Sequence, residues 1–348
     1  MSAAGPSEGG RLLAGFRGSA AAELANGAAG GPVPERNAAI AARRIAVLVP
    51  CCNESLTVAK VIAEFRAALP ACVVYVYDNR STDGTGDIAR AAGAVVRHEE
   101  RPGKGGVMRR MFADIDADVY IVTDGDATYD ATRAPEMVER LTRDDLDVVT
   151  GVRDHEERDN AYRRGHQFGN QAFNVLLGLL FGERPTDMFS GYRVMSRRFV
   201  KSFPAEARGF EIETELTVHA LELRVPTAEV VTRYFERPEG SGSKLSTYRD
   251  GLRILYTIAR LFRDVRPLPF FGVCALLLAA AGLALGSGVV VEYLETGLVP
   301  RLPTAVLATG LMLLASLSIV CGMILDSVAR GRREAKRLAY LAAGSIRR

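Results

Sequence analysis

Two aspartates separated by a single glycine directly follow an apolar run. Asp124, Gly125 and Asp126 come after the segment Val119–Thr123. In an extended backbone, residues two apart point to the same side, so both carboxylates can face one cation. Mg²⁺ and Mn²⁺ prefer oxygen ligands and often complete their coordination with substrate phosphates, which suits a diphosphate leaving group. Taken alone, the triplet also fits an ordinary turn, because Asp and Gly are common turn residues.

Short apolar segments alternate with helix-like segments from Ile45 onward, which is the pattern of a parallel sheet built from crossover units. Pro50, Asp78 and Asp124 each follow a predicted strand, so they are expected at the carboxyl edge of the sheet, where open α/β folds bind ligands. The predicted strands are Ile45–Val49, Val73–Tyr77, Ala94–Val96, Val119–Thr123 and Asp147–Thr150. The predicted helices are Thr57–Leu69, Gly86–Ala92, Gly105–Asp114 and Ala134–Thr142.

The C-terminal part of the chain contains two apolar spans, Pro269–Val291 and Leu302–Leu325. Each is long enough to cross a hydrocarbon core of about 30 Å. Arginines and lysines flank the outer ends of the pair, so the positive-inside rule predicts that both flanks lie in the cytoplasm. The preceding amphipathic segment, Thr247–Asp264, fits a helix on the membrane interface. A buried helical hairpin of a soluble protein is the alternative.

The composition limits the classes of partner. The 348 residues carry a formal net charge of +3, which is too small to indicate nucleic acid. The five cysteines show no CxxC spacing, so they predict free thiols rather than a zinc site or a disulfide-bonded secreted domain. The predicted boundaries are a disordered tail at 1–42, a catalytic domain at 43–245, a juxtamembrane helix at 246–266, two transmembrane helices at 267–326 and a basic cytoplasmic tail at 327–348.

Three further motifs accompany the aspartate pair. Residues 49–54 (VPCCNE) end the first strand, residues 77–85 (YDNRSTDGT) end the second, and residues 101–106 (RPGKGG) precede the third helix. In this order and spacing, the four motifs resemble glycosyltransferase family 2 with the GT-A fold, over about residues 45–255. The resemblance implies a Rossmann-like α/β domain with a mostly parallel sheet, which transfers a sugar from a nucleotide-sugar donor.

The resemblance implies a donor site at the ends of the first strands. Asp78 inherits the contact with the nucleotide base, and its carboxylate can accept a hydrogen bond from a pyrimidine. Asn79 and Arg80 stand where the family usually has Asp and Gly, so the base, in a UDP- or GDP-linked sugar, stays open. Lys104 either lies near the phosphates or belongs to an ordinary helix-entry turn. The implied donor-side residues are Pro50, Glu54, Tyr77, Asp78, Lys104 and Gly125.

Three downstream motifs, at residues 186–193, 209–215 and 237–244, resemble the acceptor half of dolichol-phosphate mannose synthases and their bacterial polyprenyl-phosphate relatives. A phosphate monoester has a second pKa near 6, so it is anionic at neutral pH and needs cationic positioning more than a strong base. Arg and Lys supply such positioning, Arg through its planar fork. The candidate residues are Arg153, Arg163, Arg164, Arg193, Arg237 and Lys244.

The resemblance also extends the catalytic set of Asp124 and Asp126. Asp187 is expected either to orient the acceptor or to act as a base, with a loop cap bonded to Ser190 as the structural alternative. Glu213 is an acceptor-side residue by resemblance. Thr128 stands where polyprenyl-phosphate members often have a metal-binding Gln, and its shorter hydroxyl would reach Mg²⁺ or Mn²⁺ through water.

Together these features predict an integral membrane hexosyltransferase, with the bacterial inner membrane as its expected location and cell-envelope glycans as its expected product class. It would transfer a sugar, with inversion, to undecaprenyl or dolichyl phosphate. The expected partners are a nucleotide sugar, polyprenyl phosphate, membrane lipids and further copies of the chain, but no nucleic acid. One alternative is a processive polysaccharide synthase, which carries a Gln-x-x-Arg-Trp motif, whereas this chain has no Trp. Another is a non-catalytic nucleotide-binding membrane scaffold, which would usually lack the aspartate pair.

Overall fold

The computed structural model describes residues 43–154, 178, 186–205, 209, 211–236 and 259–344. The predicted tail at 1–42 and most of the predicted juxtamembrane helix lie outside these residues. Four of the cationic candidates also lie outside them: Arg163, Arg164, Arg237 and Lys244.

Seven strands of the described chain form one mixed sheet. They are β1 (Ile45–Cys51), β2 (Val73–Asp78), β3 (Val95–His98), β4 (Val119–Val122), β5 (Val148–Arg153), β6 (Arg193–Ser196) and β7 (Thr227–Thr232). The order across the sheet is β3-β2-β1-β4-β6-β5-β7. Strand β6 runs antiparallel to both of its neighbours, and the other pairs are parallel. The expectation of a mostly parallel sheet is confirmed.

Helices connect and cover the strands. They are α1 (Val58–Ala68), α2 (Thr85–Ala91), α3 (Lys104–Asp114), α4 (Ala134–Arg143), α5 (Arg197–Ser202), α6 (Ile212–Leu223), α7 (Pro267–Thr296) and α8 (Leu302–Ala342). Glu211, Glu213 and Glu215 would share one face of a strand, but they lie at the start of a helix: Glu211 precedes α6, and the other two belong to its first turn.

The core follows from the composition of the central strands. All four residues of β4 and the first five of β1 are buried, as a strand covered on both faces requires. One face packs against α3, α5 and α6, where Met108, Phe199 and Leu216 meet Leu48 and Tyr120. This packing holds the carboxyl ends of β1, β2 and β4 at one edge of the sheet.

The two C-terminal helices form an antiparallel hairpin that is held by small residues. In α8, the buried residues Ala308, Ala315, Gly322 and Ala329 recur every seven positions. A Cβ on Gly322 would lie 3.0 Å from Phe271 Cβ of α7, so the two backbones approach closely there. Both helices are long and apolar enough to cross a membrane. In the most apolar 18-residue stretch of each helix, only 11% is buried in α7 and 17% in α8. This low burial does not fit the buried hairpin of a soluble protein.

The second helix does not end where the predicted basic tail begins. α8 continues to Ala342, and its last turns pack on the α/β domain. Tyr340 Oη donates to Asp147 Oδ2 at 2.7 Å, and Lys336 Nζ lies 2.8 Å from Glu222 Oε2. Arg197 Nη1 donates to the carbonyl oxygen of Ala343 at 2.9 Å. Asp147 is fully buried and needs such polar partners, so this part of the predicted tail is structured.

A buried histidine packs where α5 meets α6. His219 is 1% exposed, its ring lies against Phe199 and Phe203, and its Nε2 lies 3.0 Å from Ser202 Oγ. Its Nδ1 has no hydrogen-bond partner among the described residues. Burial, with a smaller contribution from the ammonium of Lys336, lowers the pKa of His219 to about 3. The folded protein therefore holds this ring neutral down to strongly acidic pH.

Mild acid is expected to destabilise the fold through His219. The unfolded chain takes up the proton near pH 6.5 and the folded chain only near pH 3, so this stability is complete above pH 6.5 and falls below it. At pH 5 the loss is about 2 kcal/mol. His219→Gln, which keeps a side-chain N–H for Ser202, should remove this part of the pH dependence. Urea unfolding of both proteins in detergent at pH 7 and pH 5 measures it, and an equal pH effect would contradict the assignment.

Candidate active site

Four carboxylates surround the buried thiol at the end of β1. Burial, followed by the nearby charges of Glu54, Asp78, Asp124 and Asp126, raises the pKa of Cys51 well above its usual value. The thiol is therefore neutral and serves as an uncharged packing surface. The ends of β1, β2 and β4 thus bring together four residues that the sequence assigned to the donor and the metal.

Lys104 bridges two carboxylates from distant parts of the chain. Its Nζ lies 2.5 Å from Asp124 Oδ1 and 2.5 Å from Glu213 Oε1. Burial alone would lower the pKa of Lys104, but the two carboxylates raise it above its usual value. Lys104 begins α3 and Glu213 lies in the first turn of α6, so the bridge joins both helices to the end of β4. The lysine is therefore a charged member of the site and not only a helix-entry residue.

Asn79 positions the loop that leads into Lys104. Its Nδ2 donates to the carbonyl oxygens of Glu99 and Arg101 at 2.8 and 2.7 Å, and its Oδ1 accepts the N–H of Gly103 at 2.9 Å. Arg80 has a φ of 61°, the left-handed conformation that Gly adopts easily. The two departures from the usual family motif therefore build a closed loop. Sequence analysis did not predict this role of Asn79.

Asp126 is buried and held in place by a tight turn. Its Oδ1 accepts from Thr128 Oγ1 at 2.6 Å and from the Thr128 N–H at 3.2 Å, across Ala127 with a φ of 57°. No group of three His, Cys, Asp or Glu side chains suited to a cation occurs within the described ranges. Asp124 and Asp126 still fit Mg²⁺ or Mn²⁺, because such ions take oxygen ligands and leave positions for phosphate and water. The hydroxyl of Thr128 orients Asp126.

Two glycines allow close packing around the aspartates. A Cβ on Gly125 would lie 2.7 Å from Cys51 Sγ. A Cβ on Gly191 would lie 2.9 Å from Asp124 Oδ2 and 3.3 Å from Tyr129 Oη, the atom that accepts the Gly191 N–H at 2.8 Å. A side chain at Gly125 would push Cys51 away, and one at Gly191 would push Asp124 away. Gly191 and Tyr129 are thus site residues that the sequence analysis missed.

Asp78 lies at the end of β2, where it is 6% exposed. Its Oδ1 accepts the N–H of Ser81 at 3.0 Å, and its Oδ2 lies 3.5 Å from His98 Nδ1 at the end of β3. A Cβ on Gly86 would lie 2.9 Å from Asp78 Oδ2 and 3.2 Å from His98 Cε1, so the start of α2 packs closely against the carboxylate. The contact of Asp78 with the nucleotide base stays a prediction.

Two predicted site residues have other tasks. Tyr77, expected on the donor side, is 1% exposed, packs in the core against α3 and donates to Asp114 Oδ2 at 3.0 Å. Arg193, expected at a phosphate, is 2% exposed and donates to the carbonyl oxygens of Ser190 and Met188. Both expectations are corrected: the first side chain points into the core, and the second holds the loop at 188–190.

Arg153 and Asp187 form an ion pair on the far side of Tyr129. Arg153 Nε and Nη2 donate to the two carboxylate oxygens at 2.7 and 2.8 Å. Burial would lower the pKa of Arg153, but Asp187 raises it above its usual value, so the guanidinium is charged. Burial, followed by the charge of Asp124, raises the pKa of Tyr129, whereas the charge of Arg153 opposes this shift, so both charged groups lie near the Tyr129 ring.

Comparison with known proteins agrees with this geometry. The family model described as Glycosyl transferase family 2 matches residues 46–203. Glycosyltransferase AglJ of Haloferax volcanii is 33% identical over 83% of this chain and 95% of its own length. The dolichyl-phosphate hexose transferase of the same organism is 28% identical over 64% of this chain and 95% of its own length.

A solved structure has the same fold. Glucosyl-3-phosphoglycerate synthase from Mycobacterium tuberculosis, in complex with Mn²⁺, UDP-glucose and phosphoglyceric acid, is 26% identical, with a TM-score of 0.52. The similarity covers 68% of this chain and 84% of that one. With its strand-end aspartates and its mixed seven-stranded sheet, the chain belongs to glycosyltransferase family 2 and has the GT-A fold.

Proposed function

We propose that this glycosyltransferase moves a hexose from a nucleotide sugar to a polyprenyl phosphate at the membrane surface. The observation that carries the proposal is the contact between the acceptor side and the segment that leads into the membrane hairpin. Met188, next to Asp187, packs with Val218 of α6 and with Val265, directly before α7. Phe189 and Leu261 extend this contact. An acceptor phosphate at the site can therefore keep its lipid tail in the bilayer.

The donor side supplies the charges for a diphosphate leaving group. Asp124 and Asp126 would hold Mg²⁺ or Mn²⁺, which neutralises negative charge on the departing diphosphate. Thr128 keeps the Asp126 carboxylate in one orientation, and Lys104 does the same for Asp124. Asp78 would contact the nucleotide base of the donor. The solved relative binds UDP-glucose, so a UDP-sugar is the first donor to test.

The acceptor can react without a base. In the displacement, a phosphate oxygen forms a bond to the anomeric carbon while the bond from that carbon to the diphosphate oxygen breaks. An acceptor dianion and a nucleotide sugar yield a diester monoanion and a nucleoside diphosphate, so charge balances with no proton removed. A phosphate monoester is largely dianionic above pH 6, which supports this acceptor class. The inversion is carried over from the family.

The membrane arrangement follows from the flanking charges. Arg260, Arg263 and Arg266 precede α7, and a basic stretch at 330–337 follows the apolar part of α8. Both flanks, with the catalytic domain, belong on the cytoplasmic side by the positive-inside rule. The homo-oligomer stays a prediction.

One assay tests the function against its alternatives. Purified protein in detergent is incubated with Mn²⁺ or Mg²⁺, undecaprenyl phosphate and radiolabelled UDP- and GDP-sugars. We expect one donor to give label that extracts into organic solvent as a single-sugar lipid. A water-soluble labelled polymer would instead indicate a polysaccharide synthase. Donor binding without any transfer, from every sugar, would indicate the scaffold and overturn the proposal.

A further inference from the structure

The ion pair between Arg153 and Asp187 uses both oxygens of the carboxylate. Arg153 Nε donates to Oδ2 at 2.7 Å and Nη2 donates to Oδ1 at 2.8 Å, while the backbone N–H of Arg153 lies 3.4 Å from Oδ2. Asp187 is 4% exposed. Such parallel contacts fix the plane of the guanidinium as well as its position.

Aromatic rings hold the other side of this guanidinium. The Arg153 Cζ lies 5.4 Å from the centre of the Tyr234 ring, within cation–π range. Tyr234 forms an antiparallel β-bridge with Tyr129, and the two rings lie 5.4 Å apart. Tyr129 in turn contacts Gly191, whose Cα lies against Asp124. The Tyr129 and Tyr234 pair therefore links the guanidinium to Asp124, which would hold the metal at the diphosphate.

The remaining nitrogen of the guanidinium is the one suited to a ligand. Nε and Nη2 donate to Asp187, whereas Nη1 has no hydrogen-bond acceptor within the part of the chain that is described. The Arg153 side chain is 20% exposed, so part of it is accessible to a ligand. A phosphate oxygen is a fitting acceptor for this nitrogen, because charge-assisted bonds from Arg to phosphate are short and strong.

We propose that Asp187 is a positioning residue that holds Arg153 so that Nη1 binds the phosphate of the acceptor, and that Asp187 is not a general base. A base must offer an oxygen to the proton that it removes, and both oxygens here face the guanidinium. The transfer in the proposed function, on which this inference rests, removes no proton. Asp187 therefore affects how tightly the acceptor binds rather than how the bond to the sugar forms.

Steady-state kinetics of Asp187→Asn separate the two roles. With undecaprenyl phosphate as acceptor and the donor found in the panel, we expect the acceptor KM to rise about 10- to 100-fold, since a bond between charged groups is lost. The kcat should change less than about threefold, and the pH profile should keep its shape, since chemistry and its ionisations are untouched. Arg153→Lys should raise the acceptor KM in the same way. The double variant should have an acceptor KM no higher than that of Arg153→Lys alone.

A matched control is available at the opposite edge of the sheet. Arg198 Nε and Nη2 donate to the two oxygens of Asp147 at 2.6 and 3.0 Å, in another buried two-point pair. Asp147→Asn should lower the thermal midpoint without changing the acceptor KM. If Asp187→Asn instead lowered kcat about 1,000-fold at an unchanged KM and removed one limb of the pH profile, Asp187 would be the base. That result would overturn the inference.

A second readout separates this inference from the proposed function. If the wild-type protein labels no lipid with any donor, the proposed function fails, and binding of inorganic phosphate is then measured by the thermal midpoint. We expect phosphate to raise the midpoint of the wild type and of Asp147→Asn, but to raise that of Asp187→Asn and Arg153→Lys by less than half as much. An equal rise in all four proteins would overturn the positioning role.

Discussion

Replacing Asp126 by Asn is expected to lower the rate of sugar transfer by about 1,000-fold, because loss of a metal-binding carboxylate removes several kcal/mol of stabilisation from the departing diphosphate. The fold should stay intact. The Oδ1 of Asp126 accepts from the N–H and the hydroxyl of Thr128, and the amide oxygen of Asn can accept the same two bonds. Initial rates across a Mn²⁺ titration, with thermal unfolding of the same samples, measure both effects.

Asp130 provides the matched control for this variant. Its Oδ1 accepts from the N–H and the hydroxyl of Thr132 at 2.9 and 2.5 Å, which is the same pair of hydrogen bonds that Asp126 makes with Thr128, although Asp130 caps a short helix and Ala127 has a φ of 57°. Asp130→Asn should therefore transfer sugar at a rate close to that of the wild type. If Asp126→Asn and Asp130→Asn were equally active, the DGD triplet would be only a turn, and the assignment of the metal would be wrong.

The local elements were predictable from the sequence because their signals are local. Helices α1 to α4 agree with the prediction to within one residue at each end, since apolar periodicity and turn residues mark them. Strands β6 and β7 were not predicted. Strand β6 has four residues and inserts antiparallel between β4 and β5, so its place depends on pairing between distant segments.

The site residues also divide into those that a local pattern marks and those that depend on contacts between distant segments. Asp124 and Asp126 could be found because they follow an apolar strand, whereas the bridge from Lys104 to Glu213 joins segments that no spacing relates. The error at Tyr77 was avoidable. Neighbouring residues of a strand point to opposite faces, so a ligand role for Asp78 argues against one for Tyr77. For Arg193, sequence gives no sign that carbonyl oxygens already satisfy it.

The sequence of the α8 extension contains a seven-residue spacing that indicates packing, in addition to its basic charge. Its buried small residues recur every seven positions, and the same spacing continues through Lys336 to Ala343. Both of these residues contact the catalytic domain, Lys336 through Glu222 and Ala343 through Arg197. A repeat of seven keeps one face of a helix towards its partner. The basic charge led to the prediction of a cytoplasmic tail, whereas the spacing indicates a packed helix.

Replacing Lys104 by Met is expected to be the most damaging single change to stability in the site. It would leave Asp124 and Glu213 facing each other without the ammonium that now lies 2.5 Å from each. Removing one member of a buried charged pair costs about 3–5 kcal/mol, because the remaining charge is desolvated and unpaired. Denaturant unfolding of Lys104→Met in detergent, without added divalent cation, measures this loss. Lys104→Arg, which keeps the charge, is the comparison variant.

The double variant Lys104→Met/Glu213→Gln distinguishes charge repulsion from lost packing. Glu213→Gln removes one of the two unpaired carboxylates, so it should recover about 1–2 kcal/mol in the Lys104→Met background, although it weakens the bridge in the wild type. Transfer activity should not recover, because Asp124 still lacks the partner that orients its carboxylate. A double variant that is no more stable than Lys104→Met would show that the lysine acts through its aliphatic chain. A double variant with restored activity would show that Lys104 only neutralises Glu213.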